Sequence, residues 1–216
     1  MAHVAPLERG DLPGLANIFT GVEAAMGFVP NSMLTMAYMP QLTLAFSTLA
    51  RVVNGGDLKA MVPMLAEMTP EPTDVDQNLP PALLQLIAFS VSTAAGCRYC
   101  QAHTSDSMVR AGGDRAKLDD ILIYDTSPHF DDAERAVVAL AFAAGRVPNE
   151  AAAEHFEALR RHYTERQIVQ IVALISMFGF LNRWNDTMAT ALEDHPTEFA
   201  QDALGSIDWA AGKHGS

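Results

Sequence analysis

The sequence predicts an all-α fold, and three observations carry that expectation. No stretch alternates Val, Ile or Thr with polar residues as a half-buried strand would. Ala, Leu and Met, which cost little to place in a helix, recur throughout. Start and stop residues bracket nearly every apolar run.

In chain order, Asp11 can cap a first helix with Pro13 in its first turn, and that helix ends near Gly27. Asn31 opens a short helix that Pro40 closes. Another runs from about Gln41 to Val53 and stops at Asn54-Gly55-Gly56. Asp57 begins a piece reaching Met68, with Pro63 marking a second start or a kink. Thr69 to Pro80, rich in proline and polar residues, reads as a linker. The expected organisation is therefore an N-terminal helical unit over 1–68, the linker over 69–80, and a helical core with a C-terminal tail over 81–216. Pro81 to Ala95 is apolar nearly all round, so that helix should be buried. The next runs past Cys97 and Cys100 to about Arg110 and stops at Gly112-Gly113, and Asp114 caps a further one reaching Tyr124. Asp131 to Gly145 is amphipathic, and Asn149 can cap a helix through Arg161. Thr164-Glu165-Arg166-Gln167 opens a long apolar helix ending near Leu192, and the tail beyond Pro196 reads as an irregular strap.

A formal net charge of −12 without any Lys/Arg cluster argues against nucleic acid or an anionic membrane surface as partner. The first residues have neither the basic start nor the apolar run of a signal peptide, and the longest apolar stretch, Ile171 to Leu181, is short for a bilayer span. Two cysteines in 216 residues are not the framework of a secreted disulfide fold, so a reducing cytoplasm is the expected setting. In the N-terminal unit, Met33, Leu34, Met36, Tyr38, Met39, Leu42, Leu44, Phe46 and Leu49 offer more apolar surface than one short helical layer buries, which predicts a homo-oligomer.

The chemistry concentrates in Cys97-Arg98-Tyr99-Cys100-Gln101-Ala102-His103. On a helix starting near Gly96, positions 97, 100 and 103 share one side. A thiol there feels the positive end of the helix dipole, and an imidazole one turn on can take its proton. Cys-x-x-Cys plus one histidine supplies three zinc ligands, with nothing elsewhere to complete a tetrahedron. Redox or nucleophilic thiol chemistry is the favoured reading, and it calls for no flavin, haem or metal cofactor. The six other histidines, His214 among them, read as surface or satisfied core residues. Gln85, the sole long polar side chain in its helix, divides evenly between a satisfied buried amide and a partner of the thiols. In Asn182-Arg183-Trp184-Asn185-Asp186, emergence of the helix end into solvent, with Arg183 and Asp186 paired, stands ahead of Asn182 or Arg183 lining a pocket.

Several of these segments together resemble a known family. They are Leu79-Pro80-Pro81 leading into an apolar helix, Gly96-Cys97-Arg98-Tyr99-Cys100-Gln101-Ala102-His103-Thr104, the Gly27-Phe28-Val29-Pro30-Asn31-Ser32 turn, Leu181 to Asp186, and the Gly212-Lys213-His214 ending. They resemble the carboxymuconolactone decarboxylase / alkyl hydroperoxidase D superfamily in its peroxidase-related branch. The resemblance implies an oligomeric helical bundle with thiol-dependent peroxidase or disulfide reductase activity. It further implies that Cys100 attacks a peroxide or disulfide substrate, that Cys97 resolves the product, and that an external dithiol reductant restores the pair. His103 would be the base, though it follows Cys100 by three residues where the family's enzyme has four, and Tyr99, a candidate pocket residue, stands between the cysteines where that enzyme has histidine. The family's relay glutamate, twelve residues before the first cysteine, falls on Gln85, so half of that relay has no ionisable group. Two other readings compete: a cofactor-free lyase using His103 as acid and base, and a redox-sensing or binding oligomer without turnover.

Overall fold

A computed structural model describes residues 2–215, all helix and loop with no strand among them. Eleven α-helices run through these residues: α1 (Ala16–Met26), α2 (Asn31–Met36), α3 (Pro40–Val53), α4 (Leu58–Met68), α5 (Pro81–Ala95), α6 (Arg98–Arg110), α7 (Ala116–Asp119), α8 (Asp132–Gly145), α9 (Ala153–Leu159), α10 (Glu165–Met188) and α11 (Asp194–Ala203). They form two compact units. One is the chain up to Asn78 together with Glu165–Val169, and the other is Leu79–Thr164 together with the chain from Gln170 onward.

In the first unit Leu15, Ile18, Phe19, Met33 and Ala37 form the core. The first α-helix starts at Ala16 rather than at Asp11, because Arg9–Asp11 and Pro13–Leu15 wind as tighter 3-10 turns and the Asp11 side chain caps neither. Pro40 is the first residue of α3 and does not close α2, a position where its missing N–H costs nothing. Asp57 caps α4 by accepting from the Lys59 and Ala60 amides at 2.9 and 3.3 Å. Pro63 lies inside that helix, which continues past it. The expected linker is tied down. Gln41 donates to the Pro70 carbonyl, Arg166 to the Asn78 amide oxygen at 2.8 Å, and Gln167 to the Gln77 carbonyl at 3.1 Å. Of the apolar residues expected to drive assembly, Met33 belongs to the core, whereas Phe46 and Leu49 are exposed.

The second unit is built around α5, which packs on α6 and α8, while α11 packs on α6. Leu86, Ile87, Phe89 and Val91 of α5 are 2% exposed or less, each burial contributing roughly 1.5–3 kcal/mol. Full burial is confined to the middle of that helix, Leu86 to Ser92, and Leu83 to Gln85 are half-buried. Gly96 ends α5 in the left-handed region (φ +74°), where a residue with a Cβ would be strained. The turn directs the Cys97 amide to the Ser92 carbonyl at 3.1 Å and starts α6 one residue later. Asp131 and Glu134 form a reciprocal capping box at the start of α8. Asn149 makes a local turn to the Ala151 amide, so α9 begins only at Ala153.

Two further expectations need correction. At 24 residues α10 is long enough, and with an 18-residue stretch of mean hydropathy 1.2 apolar enough, to cross a membrane by length and composition alone. It nevertheless carries polar side chains engaged in hydrogen bonds: Gln170 accepts from the Leu79 amide at 3.0 Å and Asn182 from the Ser92 hydroxyl at 3.0 Å. The tail is not an irregular strap, since α11 occupies Asp194–Ala203. Pro196 sits in its first turn, where backbone N–H groups have no intrahelical acceptor, so proline begins this helix instead of preventing it.

Candidate active site

Both cysteines are free thiols at the start of α6, 1% and 3% exposed. Cys97 is the N-cap: its Sγ accepts the Cys100 amide at 3.3 Å, which satisfies one of the helix's unpaired N–H groups. Hydrogen bonding from the Cys100 thiol and amide lowers the Cys97 pKa despite its burial. Asp186 opposes that lowering and Lys213 supports it. Cys100 moves the other way. Its bond to Cys97, its burial and the adjoining charge all hold it protonated, and only the Asn185 amide, 3.5 Å from its Sγ, pulls it back. The geometry makes Cys97 the sulfur that a backbone N–H of α6 serves, whereas the resemblance assigns the attack to Cys100.

His103 does not touch either sulfur. Its Nδ1 is 3.0 Å from the Tyr99 carbonyl oxygen and its Nε2 is 3.0 Å from Glu193 Oε2. Both partners accept, and a neutral imidazole has one N–H, so only protonated His103 makes both bonds. Tyr99 stacks on the His103 ring at 4.3 Å and donates its hydroxyl to Glu193 Oε1 at 3.1 Å. Burial pushes the Glu193 carboxyl up, but its own backbone amide, Tyr99 and His103 outweigh that and hold it below the usual carboxylate value. Gln85 is half-buried and receives no hydrogen bond among the described residues.

Asn182 is 4% exposed and is held by Ser92, one helical turn before Asn185 on the same face of α10. Arg183 is exposed and has no ion-pair partner among the described residues. Its expected partner Asp186 pairs with Lys213 at 2.8 Å and faces His214 at 3.6 Å. Trp209 donates to the Arg98 carbonyl at 3.2 Å, so the C-terminal segment lies over the start of α6. Among the described residues no three His, Cys, Asp or Glu side chains converge as metal ligands would. Sequence reasoning missed Glu193, Asn185, Asp186, Lys213 and His214. Asn185 and Asp186 stood in a cluster read mainly as a solvated helix end, and only the Gly212-Lys213-His214 ending marked the tail.

The carboxymuconolactone decarboxylase family profile matches residues 66–143, which span α5, α6 and most of α8. The apo structure of the debrominase Bmp8 is 35% identical, over 94% of this chain and 97% of that one, with a TM-score of 0.55. The chain belongs to the carboxymuconolactone decarboxylase family. A cysteine-to-alanine variant of Bmp8 in complex with 2,3,4-tribromopyrrole is 33% identical over 94% and 98% of the two chains, with a TM-score of 0.56. An alkylhydroperoxidase AhpD core, an uncharacterized peroxidase-related protein from Ralstonia eutropha JMP134, shares the fold at 22% identity over 88% and 90%, with a TM-score of 0.50. No curated protein matches the chain. Membership places the protein among peroxidase-related and lyase-type proteins, with a debrominase as a further branch.

Glu193→Gln is expected to leave the fold intact, because an ion pair this exposed is worth less than about 1 kcal/mol. Turnover should nonetheless fall roughly tenfold to a hundredfold as His103 loses its carboxylate. Steady-state kinetics beside a thermal melt check this, and unchanged turnover would remove Glu193 from the machinery.

Proposed function

We propose that the protein is a dithiol oxidoreductase in which Cys97 and Cys100 together deliver two electrons to a small electrophile. The observation carrying this reading is the pair of free thiols at the start of α6, with Cys97 Sγ accepting the Cys100 amide at 3.3 Å and the Asn185 amide 3.5 Å from Cys100 Sγ. That is what a nucleophile and its resolving partner require. With a peroxide, the Cys97 thiolate attacks one oxygen, the S–O bond forms, the O–O bond breaks, and the alkoxide leaves with a proton. His103, held between the Tyr99 carbonyl and Glu193, supports this reading as the donor of that proton. Cys100 then attacks the sulfenic sulfur, closing the Cys97–Cys100 disulfide and releasing water. An external dithiol restores both thiols, and a homo-oligomer is the form in which we expect this chemistry to run.

A second acceptor class is favoured by one observation, the 33–35% identity to a debrominase along almost the whole chain. In that reading a bromoarene and two thiols give the dehalogenated arene, one disulfide and hydrogen bromide. The site is the same and only the electrophile changes. A turnover assay regenerated by a dithiol, run with an alkyl peroxide, a small disulfide and a brominated pyrrole, separates these classes. At least one should be consumed by the wild type and none by a variant lacking both thiols. Turnover of a lactone acid surviving loss of both thiols would favour the lyase reading instead.

A further inference from the structure

His214 lies in the C-terminal segment at 1% exposure, the most enclosed ionisable ring of the second unit's described residues. Its Nδ1 stands 2.8 Å from the Thr190 carbonyl oxygen, which can only accept. Nδ1 therefore carries a proton, and a neutral ring presents Nε2 as a bare lone pair. No hydrogen bond among the described residues reaches that Nε2, and the charge it faces is Asp186 Oδ1 at 3.6 Å. A buried acceptor facing an acceptor is unfavourable, and one proton on Nε2 converts the contact into an ion pair.

The surroundings tie this ring to the thiols. Tyr99, between the two cysteines, has its ring 6.0 Å from that of His214, and His103 stacks on Tyr99 with Glu193 beyond it. Lys213 holds the other Asp186 oxygen at 2.8 Å. The Asp186 charge works against a thiolate on either cysteine. Asn185, the residue before Asp186, donates to Cys100.

We propose that His214 is the proton acceptor that tunes the dithiol, holding on Nε2 the proton released by Cys97 so that the imidazolium offsets Asp186 while the thiolate stands. The inference rests on the dithiol reading above. It concerns a proton only: Cys97 loses it, His214 gains it, and no electrons move. His214 is a tuning residue acting through Asp186, not a group placed against substrate.

The test is a pH titration of thiolate absorbance on the intact chain. His214→Asn places an amide donor where Nδ1 meets Thr190 and removes Nε2. The Cys97 midpoint should rise by about one pH unit in this variant, the size expected when a nearby like charge is left uncompensated. Asp186→Asn should lower it, and His214→Asn should add nothing in that background. An unchanged midpoint in folded His214→Asn, or the same rise with Asp186 already neutral, overturns the proposal. If His214→Asn does not fold, ring-nitrogen magnetic resonance on the wild type decides. Protonation of His214 Nε2 in step with thiolate formation supports it, and titration indifferent to the thiols overturns it. None of these readings needs turnover, so failure of the dithiol chemistry registers separately as thiols that no acceptor oxidises.

Discussion

Cys97→Ser is expected to reduce turnover by about a thousandfold and to abolish consumption of the first equivalent of acceptor. Cys100→Ser should also block steady turnover, since nothing resolves the product, yet it should still consume close to one equivalent in a single turnover. The difference follows from the acidities. Cys97, lowered by the Cys100 thiol and amide, is ionised above its lowered pKa and becomes inert as pH falls through that value. Cys100, raised by its bond to Cys97 and by burial, is the harder of the two to ionise. Alkylation near neutral pH should accordingly label Cys97 in Cys100→Ser and leave Cys100 largely unlabelled in Cys97→Ser. The opposite pattern would return the attacking role to Cys100, as the resemblance implied.

The largest expected effect on stability is that of Phe89→Ala, at about 3–5 kcal/mol. Phe89 is 0% exposed in the middle of α5 and belongs to the core formed with Leu86, Ala102, Met108 and Leu118. Truncation removes a ring from the cluster on which both α5 and the thiol-bearing α6 depend, and the surrounding helices cannot close the gap. At roughly 2–4 °C per kcal/mol for a chain of this length, the melting temperature should drop by about 6–20 °C. A loss below about 1 kcal/mol in chemical denaturation would mean that this core is not what holds the thiol helix in place.

What was legible in the sequence was local. The α5 helix, its glycine stop and the Cys-x-x-Cys start of α6 follow one another within twenty residues, and Pro81, the apolar run and Gly96 each announce themselves. The carboxymuconolactone decarboxylase resemblance rested on that segment together with the Gly27–Ser32 turn, Leu181–Asp186 and the Gly212-Lys213-His214 ending. The acid–base groups around the thiols were not legible, because they come from far along the chain: Glu193 meets Tyr99 across 94 positions, and Asn185 meets Cys100 across 85. No spacing rule links residues so distant. Gln85 drew attention as an isolated polar residue at the relay position, while a carboxylate reaches His103 from the loop before α11. His214 was set aside because a histidine near a chain end is usually solvated, and its burial depends on the Leu192 amide, the Thr190 carbonyl and the Tyr99 ring closing around it. The tail helix was lost to a proline read as a stop when it stood in a first turn.

The central claim is that Cys97 and Cys100 act as one two-electron donor, and the most direct measurement is a paired count of thiols and acceptor. The reduced protein is treated with one equivalent of alkyl peroxide or brominated pyrrole, quenched with an alkylating agent, and weighed intact and after proteolysis. The account predicts that both thiols disappear together, that one molecule of acceptor is consumed per chain, and that a single peptide carries the Cys97–Cys100 disulfide. Two thiols still open to alkylation after the acceptor has been consumed would contradict it.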